Sequence, residues 1–248
     1  MTVSCAAVLF DLDGTLIDHD AASDAAVVAA LPQQRRLSHV GAEEIIRWWR
    51  ELEASAMDRY LAGEITFQEQ RRLRVTGLAD RCGLGRWSDD MADTWFARYL
   101  ERYEAEWRAF PDVLPALASL RRTSAGLLFG VVTNGDAAQQ RRKLARVGLA
   151  GRLPYVIASS EVGAAKPDPA IFRAACSALR LPAAQVVYVG DRLGTDAEAA
   201  AGAGLHGVWL DRQAARPGPL SVPRVESLAE LPSLVTSPPS APGRHPRA

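Results

Sequence analysis

The sequence has few cysteines, no excess of either charge and no long apolar run. Its three cysteines, Cys5, Cys82 and Cys176, are widely spaced and form no CxxC pattern, so neither a disulfide framework nor a zinc site is indicated. Arg and Lys total 29, and so do Asp and Glu, so no global field favours nucleic acid or an anionic membrane surface. Any anion must therefore be recognised locally.

The apolar N-terminal stretch is too short for export or membrane insertion. MTVSCAAVLF has no Lys or Arg before it, and Asp11 ends it well short of a signal-peptide core or a membrane span. With 48% hydrophobic side chains over 248 residues, the chain can bury a full core. We therefore expect a soluble, cytoplasmic protein.

Five short apolar runs have the character of buried strands. They are AAVLF, GLLFGVVT, YVIAS, VVYVG and GVWL. Segments of helical character lie between these runs, and Gly148 and Gly204 stand near the expected ends of two of those helices. Strands that alternate with helices predict an α/β fold with a doubly wound parallel sheet, as in Rossmann-like proteins.

Residues 17–108 contain no strand-like run. From Ile45 to Tyr60, apolar residues recur at three- and four-residue spacing, as one buried helical face requires. Thr66 and Glu69 form a capping-box pattern that predicts the start of a further helix. The pattern therefore predicts an all-helical domain inserted into the α/β core.

The last predicted helix of this insert follows Ser88, which we interpret as its N-cap. Met91, Trp95, Tyr99 and Arg102 would then lie along one side of that helix. Five of the six tryptophans fall in the insert, which is consistent with an aromatic ligand pocket or with the core of a helical bundle. We favour the core, because aromatic stripes at helical spacing usually pack.

Three regions of the chain are thus predicted. Residues 1–16 and 109–235 form the α/β core, residues 17–108 form the helical insert, and residues 236–248 form a tail. The tail, which includes TSPPSAPGRHPRA, has four prolines and no apolar periodicity, so we expect it to be disordered.

Polar side chains stand at the carboxyl ends of four predicted strands. Asp11 and Asp13 follow the first strand and Thr133 ends the second. Lys166 lies in a loop after the third strand, and Asp191 follows the fourth. Each residue alone is ordinary at a turn or on a surface. Because these strand ends form the ligand crevice of an open parallel sheet, their shared placement predicts one site.

These residues resemble the four motifs of the haloacid dehalogenase-like (HAD) hydrolase superfamily. DLDGT is similar to its first motif, DxDxT, and VVTNG is similar to its second. The lysine of AKPDP matches the third motif, and GDRLGTD matches the acidic fourth. The resemblance covers residues 6–235. It implies a HAD-like core and identifies residues 17–108 as a helical C1 cap, a lid that excludes water and reads the leaving group.

The resemblance also implies roles for the carboxylates. Asp11 would be the nucleophile that forms an aspartyl-phosphate, and Asp13 would protonate the leaving group and then activate water. Magnesium is the implied cofactor, because oxygen ligands suit a hard cation. The implied metal ligands are Asp11, Asp13 through its carbonyl, Asp191, and Asp196 either directly or through water.

A second implied group binds the phosphate of the substrate. Its members are Gly14, Thr133, Asn134 and Lys166. Lys166 would also shield the aspartates, since a nearby opposite charge favours ionised carboxylates. Gly14 fits a turn directly after a strand, where permissive backbone geometry lets N–H groups approach a phosphate.

Asp13 favours a phosphatase over a dehalogenase. The haloalkanoate dehalogenases of this superfamily release halide, need no leaving-group acid and lack an aspartate at this position. The segments TNGDAAQQRRKLARVGL and SSEVGAAKPDPAIF resemble the subgroup of pyrimidine nucleotidases and N-acylneuraminate-9-phosphatase most, and phosphoglycolate phosphatase less. We expect Mg²⁺-dependent hydrolysis of a small phosphomonoester, with sugar phosphates, phosphoglycolate and nucleoside monophosphates all open as substrates.

The expected partner is this small phosphate ester, not nucleic acid or a membrane, and the expected state is a monomer or homodimer. Two alternatives share the same residues. One is a phosphomutase of the β-phosphoglucomutase type, in which a sugar hydroxyl accepts the phosphoryl group in place of water. The other is a non-catalytic ligand-binding protein with a HAD fold, which the complete set of motif residues disfavours.

Overall fold

The chain divides into two compact units. The computed structural model describes residues 2–31, 40–123, 126–214 and 219–236. Met1–Asp18 and Ala109–Ala248 form the first unit, which we call the core unit, and His19–Arg108 form the second, which we call the inserted unit. Thr236, the first residue of the predicted tail, belongs to a short strand, and residues 237–248 lie outside the described residues.

The strands of the core unit are short and parallel. In chain order they are β1 (Val3–Ser4), β2 (Ala7–Phe10), β3 (Leu128–Thr133), β4 (Tyr155–Ala158), β5 (Val186–Gly190), β6 (His206–Leu210), β7 (Arg224–Val225) and β8 (Val235–Thr236). The main sheet has six strands in the order β4-β3-β2-β5-β6-β7, and β1 pairs with β8 in a small second sheet. This arrangement confirms the predicted α/β fold and adds β7, β1 and β8 to the five predicted strands.

The helices fall into two groups. Those of the inserted unit are α1 (His19–Ala30), α2 (Ala42–Leu61), α3 (Phe67–Arg81) and α4 (Asp89–Ala105). Those of the core unit are α5 (Val113–Thr123), α6 (Ala137–Arg146), α7 (Ser159–Val162), α8 (Pro169–Leu179), α9 (Ala199–Gly202) and α10 (Leu231–Leu234). Within the described residues, no helix has the length and apolar character needed to cross a membrane.

The sheet of the core unit is covered on both faces, which explains its continuous apolar runs. On one face Val8 and Phe10 of β2 pack with Leu117 of α5 and Leu144 of α6. On the other face Leu9 belongs to a separate cluster that includes side chains of α8. Burial of both faces therefore accounts for strands that show no alternation of polar and apolar residues.

The helix that follows β5 begins irregularly. Residues Leu193–Glu198 form a π-helical turn that leads directly into α9, where the sequence predicts one regular helix. Gly148 and Gly204 follow helical segments with φ of 73° and 89°, as their predicted role in helix termination requires.

The caps of the inserted unit follow the sequence closely. Thr66 accepts from the Glu69 N–H and the Glu69 side chain accepts from the Thr66 N–H, so the predicted capping box is confirmed. Ser88 accepts from the Met91 N–H and is the N-cap of α4, also as predicted.

The buried side of α4 differs at both ends from the predicted stripe of Met91, Trp95, Tyr99 and Arg102. Met91 is 49% exposed, and Arg102 is exposed as well. The buried side of α4 carries Trp95 and Tyr99, as predicted, but continues to Tyr103. The two stripes share their middle residues and diverge by about one helical position at the ends, because spacing alone does not say where the neighbouring helices lie.

The tryptophans of the inserted unit include residues of its interior. Trp49, Trp95 and Trp107 are buried. The rings of Trp95 and Tyr99 are stacked, with centroids 5.8 Å apart, and the ring of Trp49 meets that of Tyr99 edge-on. These contacts are the packing that the preferred interpretation predicts.

Candidate active site

The strand register brings the predicted site residues to one edge of the core unit. Phe10 of β2 pairs with Val131 of β3 on one side and with Val189 of β5 on the other. Asp11 therefore leaves β2 at the level where the two neighbouring strands also approach their carboxyl ends. Loops and turns then add Lys166 and Asp196, so the structure brings the predicted set together.

Lys166 lies between two carboxylates. Its Nζ is 2.5 Å from Asp11 Oδ1 and 2.6 Å from Asp196 Oδ1. All three side chains are buried, which excludes water and strengthens their electrostatic interactions. Burial alone would lower the pKa of Lys166, but the charges of Asp11 and Asp196 outweigh it and raise that pKa, so the ammonium stays charged.

Tyr188 supports this lysine from within β5. Its hydroxyl lies 2.9 Å from Lys166 Nζ and 3.1 Å from both the Val132 carbonyl oxygen and Asp196 Oδ1. Burial, with the charges of Asp196 and Asp11, raises the pKa of Tyr188 well above its usual value, so the phenol stays neutral. Tyr188 could not be predicted from the sequence as part of the site, because it stands inside an apolar strand, where an aromatic residue is ordinary.

Asp191 is held by the same turn that carries Asp11. The Thr15 hydroxyl donates to Asp191 Oδ1 at 3.1 Å, and the Trp209 indole N–H donates to the Asp191 carbonyl at 2.8 Å. Gly14 has φ of +86°, and a Cβ placed there would lie 2.5 Å from Asp191 Oδ2. Glycine is therefore required twice, by its backbone conformation and by the space that Asp191 occupies.

The backbone of Gly14 is already hydrogen-bonded. Its N–H donates to the Ile17 carbonyl at 2.9 Å, closing the turn after Asp13. The space beside Asp191 gives a second reason for glycine at this position, and the predicted phosphate contact of Gly14 stays a prediction.

Three carboxylates form a compact cluster. Oxygen atoms of Asp11, Asp191 and Asp196 all lie within 4.8 Å of one another. Burial raises the pKa of Asp11 well above its usual value; the charge of Lys166 opposes this rise, and Asp196 and Asp191 add to it. Burial and the charge of Asp196 likewise raise the pKa of Asp191.

This cluster fits a divalent cation. Its three carboxylates share the single ammonium of Lys166, and the raised pKa values of Asp11 and Asp191 mean that the ionised forms of these two groups are disfavoured in the protein alone. A bound cation would compensate both burial and mutual repulsion, and an all-oxygen donor set suits a hard ion. The side chain of Asp13 lies outside the cluster of three, and the predicted metal contact of its carbonyl stays a prediction.

The side chain of Asp13 instead contacts helix α6. Lys143 Nζ lies 2.7 Å from each oxygen of the Asp13 carboxylate. Gln140, one turn earlier on the helix, donates to Thr133 Oγ1 at 3.2 Å and reaches Asp13 Oδ2 at 3.4 Å. Both helix residues are buried. Gln140 therefore joins the first predicted motif to the second.

Asn134 occupies a supporting position in the structure. Its side chain donates to the Lys166 carbonyl at 2.9 Å and accepts from the Lys166 N–H at 2.8 Å. This pair of hydrogen bonds fixes the backbone of the lysine loop. In the structure the Asn134 amide therefore helps to hold Lys166, and its predicted phosphate contact stays a prediction.

Lys143 and Gln140 are the main residues that the sequence analysis missed. They lie in a helix whose many charged residues resemble a solvated surface, and none of the four motifs of the superfamily includes them. One signal was nevertheless present: of the 29 basic residues in the sequence, two are lysines, Lys143 and Lys166, and the rest are arginines. Both lysines are buried in this site.

The fold and this set of residues define a hydrolase of the HAD class. The family model for haloacid dehalogenase-like hydrolases matches residues 5–204, and the chain belongs to that family.

Individual relatives agree with this assignment. A phosphoglycolate phosphatase of Cupriavidus necator is 31% identical over 240 residues, covering 95% of each chain. An N-acylneuraminate-9-phosphatase of Rattus norvegicus is 29% identical over 242 residues, covering 93% of this chain and 94% of the relative. Both are named phosphatases, and the predicted resemblance to this subgroup is confirmed.

A solved structure shows the same fold. The crystal structure of the HAD-hydrolase YfnB from Bacillus subtilis, bound to magnesium, superposes with a TM-score of 0.76 at 19% identity. The match covers 92% of this chain and 97% of that one.

Proposed function

We propose that this protein is a phosphatase that hydrolyses a small phosphomonoester through an aspartyl-phosphate on Asp11. The main support is the position of Asp11: a buried carboxylate at the strand edge, held at one oxygen by Lys166 and flanked by Asp191 and Asp196. A nucleophile for phosphoryl transfer needs this combination of fixed orientation and nearby positive charge.

In the first step Asp11 attacks phosphorus. The contact between Lys166 and Oδ1 restrains rotation of the carboxylate, and Oδ2 forms the new O–P bond while the ester P–O bond breaks. Asp13 gives a proton to the leaving oxygen, and the alcohol departs. Thr133 and Lys166 hold the phosphoryl oxygens by hydrogen bonding and charge.

In the second step water replaces the aspartate. Asp13, now ionised, takes a proton from the attacking water, the bond between Asp11 and phosphorus breaks, and inorganic phosphate leaves. Mg²⁺, held by the side chains of Asp11, Asp191 and Asp196 with the carbonyl of Asp13, would neutralise phosphate charge in this site.

The relatives support a small substrate. One relative is named for phosphoglycolate and the other for an N-acylneuraminate 9-phosphate, so similar chains serve substrates with different leaving groups. We therefore infer a small phosphomonoester as the substrate class. Sugar phosphates, phosphoglycolate and nucleoside monophosphates are the compounds to test.

The test is phosphate release from a panel of these esters, measured with Mg²⁺ or with excess EDTA. We expect release from the wild type with Mg²⁺, and loss of nearly all turnover in Asp11→Asn, because an amide of the same shape is a poor nucleophile. Asp58→Asn, at an exposed aspartate of the inserted unit, is the matched control and should keep its activity.

Three outcomes would contradict this function. Normal turnover in Asp11→Asn would exclude the mechanism. Isomerisation of a sugar phosphate without net phosphate release would favour the phosphomutase alternative. Tight binding of a panel member without any turnover would favour a ligand-binding protein.

A further inference from the structure

The two lysines of the chain contact the two aspartates of DLDGT. Lys166 binds Asp11, and Lys143 binds Asp13. All other basic side chains except histidine are arginines. Lysine is thus confined to two buried positions, and each places its ammonium on one of the two carboxylates that the proposed reaction uses.

Lys143 is buried because of its place on α6. Ala137, Gln140 and Leu144 form the buried side of this helix together with Lys143, whereas Arg141 and Arg146 are exposed. A cation at such a position loses its hydration, and an ion pair rarely compensates this loss better than apolar packing would. A stabilising role alone is therefore a weak explanation for Lys143.

The contact geometry restrains the Asp13 side chain. Lys143 Nζ is equidistant, at 2.7 Å, from the two carboxylate oxygens. Gln140 Nε2 approaches one of these oxygens at 3.4 Å and also reaches the hydroxyl of Thr133. A carboxylate held at both oxygens has lost most of its freedom to rotate, which is what a proton-transferring group at a reacting centre requires.

Gln140 has a further unusual feature. Its Oε1 is buried and has no hydrogen-bond partner within the described part of the chain. Nε2 of this amide bridges Asp13 and Thr133, whereas Oε1 makes no hydrogen bond there. The orientation of the amide is therefore not explained by satisfying the hydrogen-bonding groups of Gln140 itself.

We propose that Lys143, assisted by Gln140, is a positioning residue that orients Asp13 toward the leaving oxygen of the substrate. This inference rests on the proposed function. Lysine suits the role because it places a compact charge between two oxygens at the end of a narrow stem, whereas arginine presents a wide planar fork.

The test compares substrates that differ in their need for a leaving-group proton. An alkyl phosphate, such as glycerol 3-phosphate or the best ester of the panel, needs the proton, whereas p-nitrophenyl phosphate has a leaving group that departs as a stable anion. The quantity to compare is kcat/KM, because it reports the steps up to the first departure of the alcohol. Lys143→Met removes the charge and keeps most of the length.

We expect Lys143→Met to lower kcat/KM for the alkyl ester by about 100-fold, at the lower end of what acid–base catalysis contributes. For p-nitrophenyl phosphate we expect a loss of less than about fivefold, because the proton matters little there. Arg146→Met, which removes an exposed cation one turn further along the same helix, should change neither substrate.

Coupling to Asp13 provides a second readout. Asp13→Asn should show the same split between the two esters. Adding Lys143→Met to Asp13→Asn should then cause little further loss, because a residue that acts through Asp13 has nothing left to position. Additive losses in the double variant would overturn the proposal.

The remaining outcomes are also decisive. Equal losses for both esters in Lys143→Met would show a merely structural role and overturn the inference, as would no loss for either. If Lys143→Met does not fold, Lys143→Arg takes its place, and the alkyl ester must again lose more than the aryl ester. A wild type that releases no phosphate from either ester would refute the proposed function itself, and the inference with it.

Discussion

The guanidinium of Arg212 binds both oxygens of Asp112 at 3.0 Å. The hydroxyl of Ser227 and the N–H of Leu228 also donate to this carboxylate, at 2.8 and 3.0 Å. Arg212 further donates to the Thr15 carbonyl at 2.8 Å, so one side chain links the segment after β6 to the end of DLDGT and to the residue that precedes α5. These hydrogen bonds hold the carboxyl end of the DLDGT segment in place.

The Asp112 network predicts a specific loss of stability in acid. Burial alone would raise the pKa of Asp112, but the hydrogen bonds from Arg212, Ser227 and Leu228 outweigh it and lower that pKa. A lowered pKa means stability that is fully present above the unfolded pKa, near 3.9, and is lost as the pH falls through the folded pKa.

We therefore expect Asp112→Asn to reduce the free energy of unfolding by about 2 kcal/mol at pH 7. The difference from the wild type should shrink as the pH falls below about 4. Urea unfolding at pH 7, 5 and 3 measures this dependence. Asp58→Asn, at an exposed carboxylate, should show no such trend, and a difference for Asp112→Asn that is constant with pH would contradict the assignment.

The carboxylate cluster predicts metal-dependent stability. Asp191→Asn removes one of three mutually repelling carboxylates, so in EDTA the variant should unfold at the same temperature as the wild type or higher. With Mg²⁺ at about 100 times its Kd the wild type should gain about 2.7 kcal/mol, and the variant much less. Thermal unfolding with and without Mg²⁺ tests this. Asp80→Asn, an exposed control, should respond as the wild type does.

Gly14 and Gly63 allow the effect of backbone strain to be separated from the effect of a steric clash with a neighbouring side chain. Both have positive φ, +86° and +75°, but nothing lies within 4 Å of a Cβ at Gly63. Each Gly→Ala change should cost about 1–2 kcal/mol of backbone strain. We expect Gly14→Ala alone to weaken Mg²⁺ binding and turnover as well, because its methyl group would displace Asp191. Equal activity in the two variants would show that the contact with Asp191 does not matter.

The scarcity of lysine allows a direct spectroscopic test. A protein labelled with ¹⁵N at lysine Nζ should give two side-chain signals, both protected from solvent because the ammonium groups are buried and hydrogen-bonded. Lys143→Met should remove one signal. Asp13→Asn should shift that same signal more than the other, and Asp11→Asn should do the reverse. Signals typical of free, rapidly exchanging lysine would contradict the buried contacts.

The sequence predicted the residues at the strand ends because the rule behind them is geometric. Parallel strands end at one edge, so Asp11, Thr133 and Asp191 could be placed together without coordinates. The N-caps Thr66 and Ser88 were equally predictable, because each accepts a hydrogen bond from a residue only three positions later. Features governed by nearby backbone or by strand order were therefore accessible.

Contacts between distant segments were not accessible. Lys143 is 130 residues from Asp13, and nothing in a charged helix indicates which of its cations points inward. The buried face of α4, which excludes Met91, was not accessible for the same reason, since the neighbouring helices determine it. The two hydrogen bonds of the Asn134 amide with the Lys166 backbone likewise join segments 32 residues apart. Tertiary packing decided each of these cases.

The chain leaves and re-enters the core unit at neighbouring points. Ile17 and Ala109 form an antiparallel bridge, and the Phe110 N–H donates to the Leu16 carbonyl at 3.0 Å. For the core unit, the segment between Ile17 and Ala109 is one long loop whose two ends are held together. The entropic cost of closing a loop changes little with its length. Helices of another size or sequence could therefore be grafted between these two residues without altering the sheet.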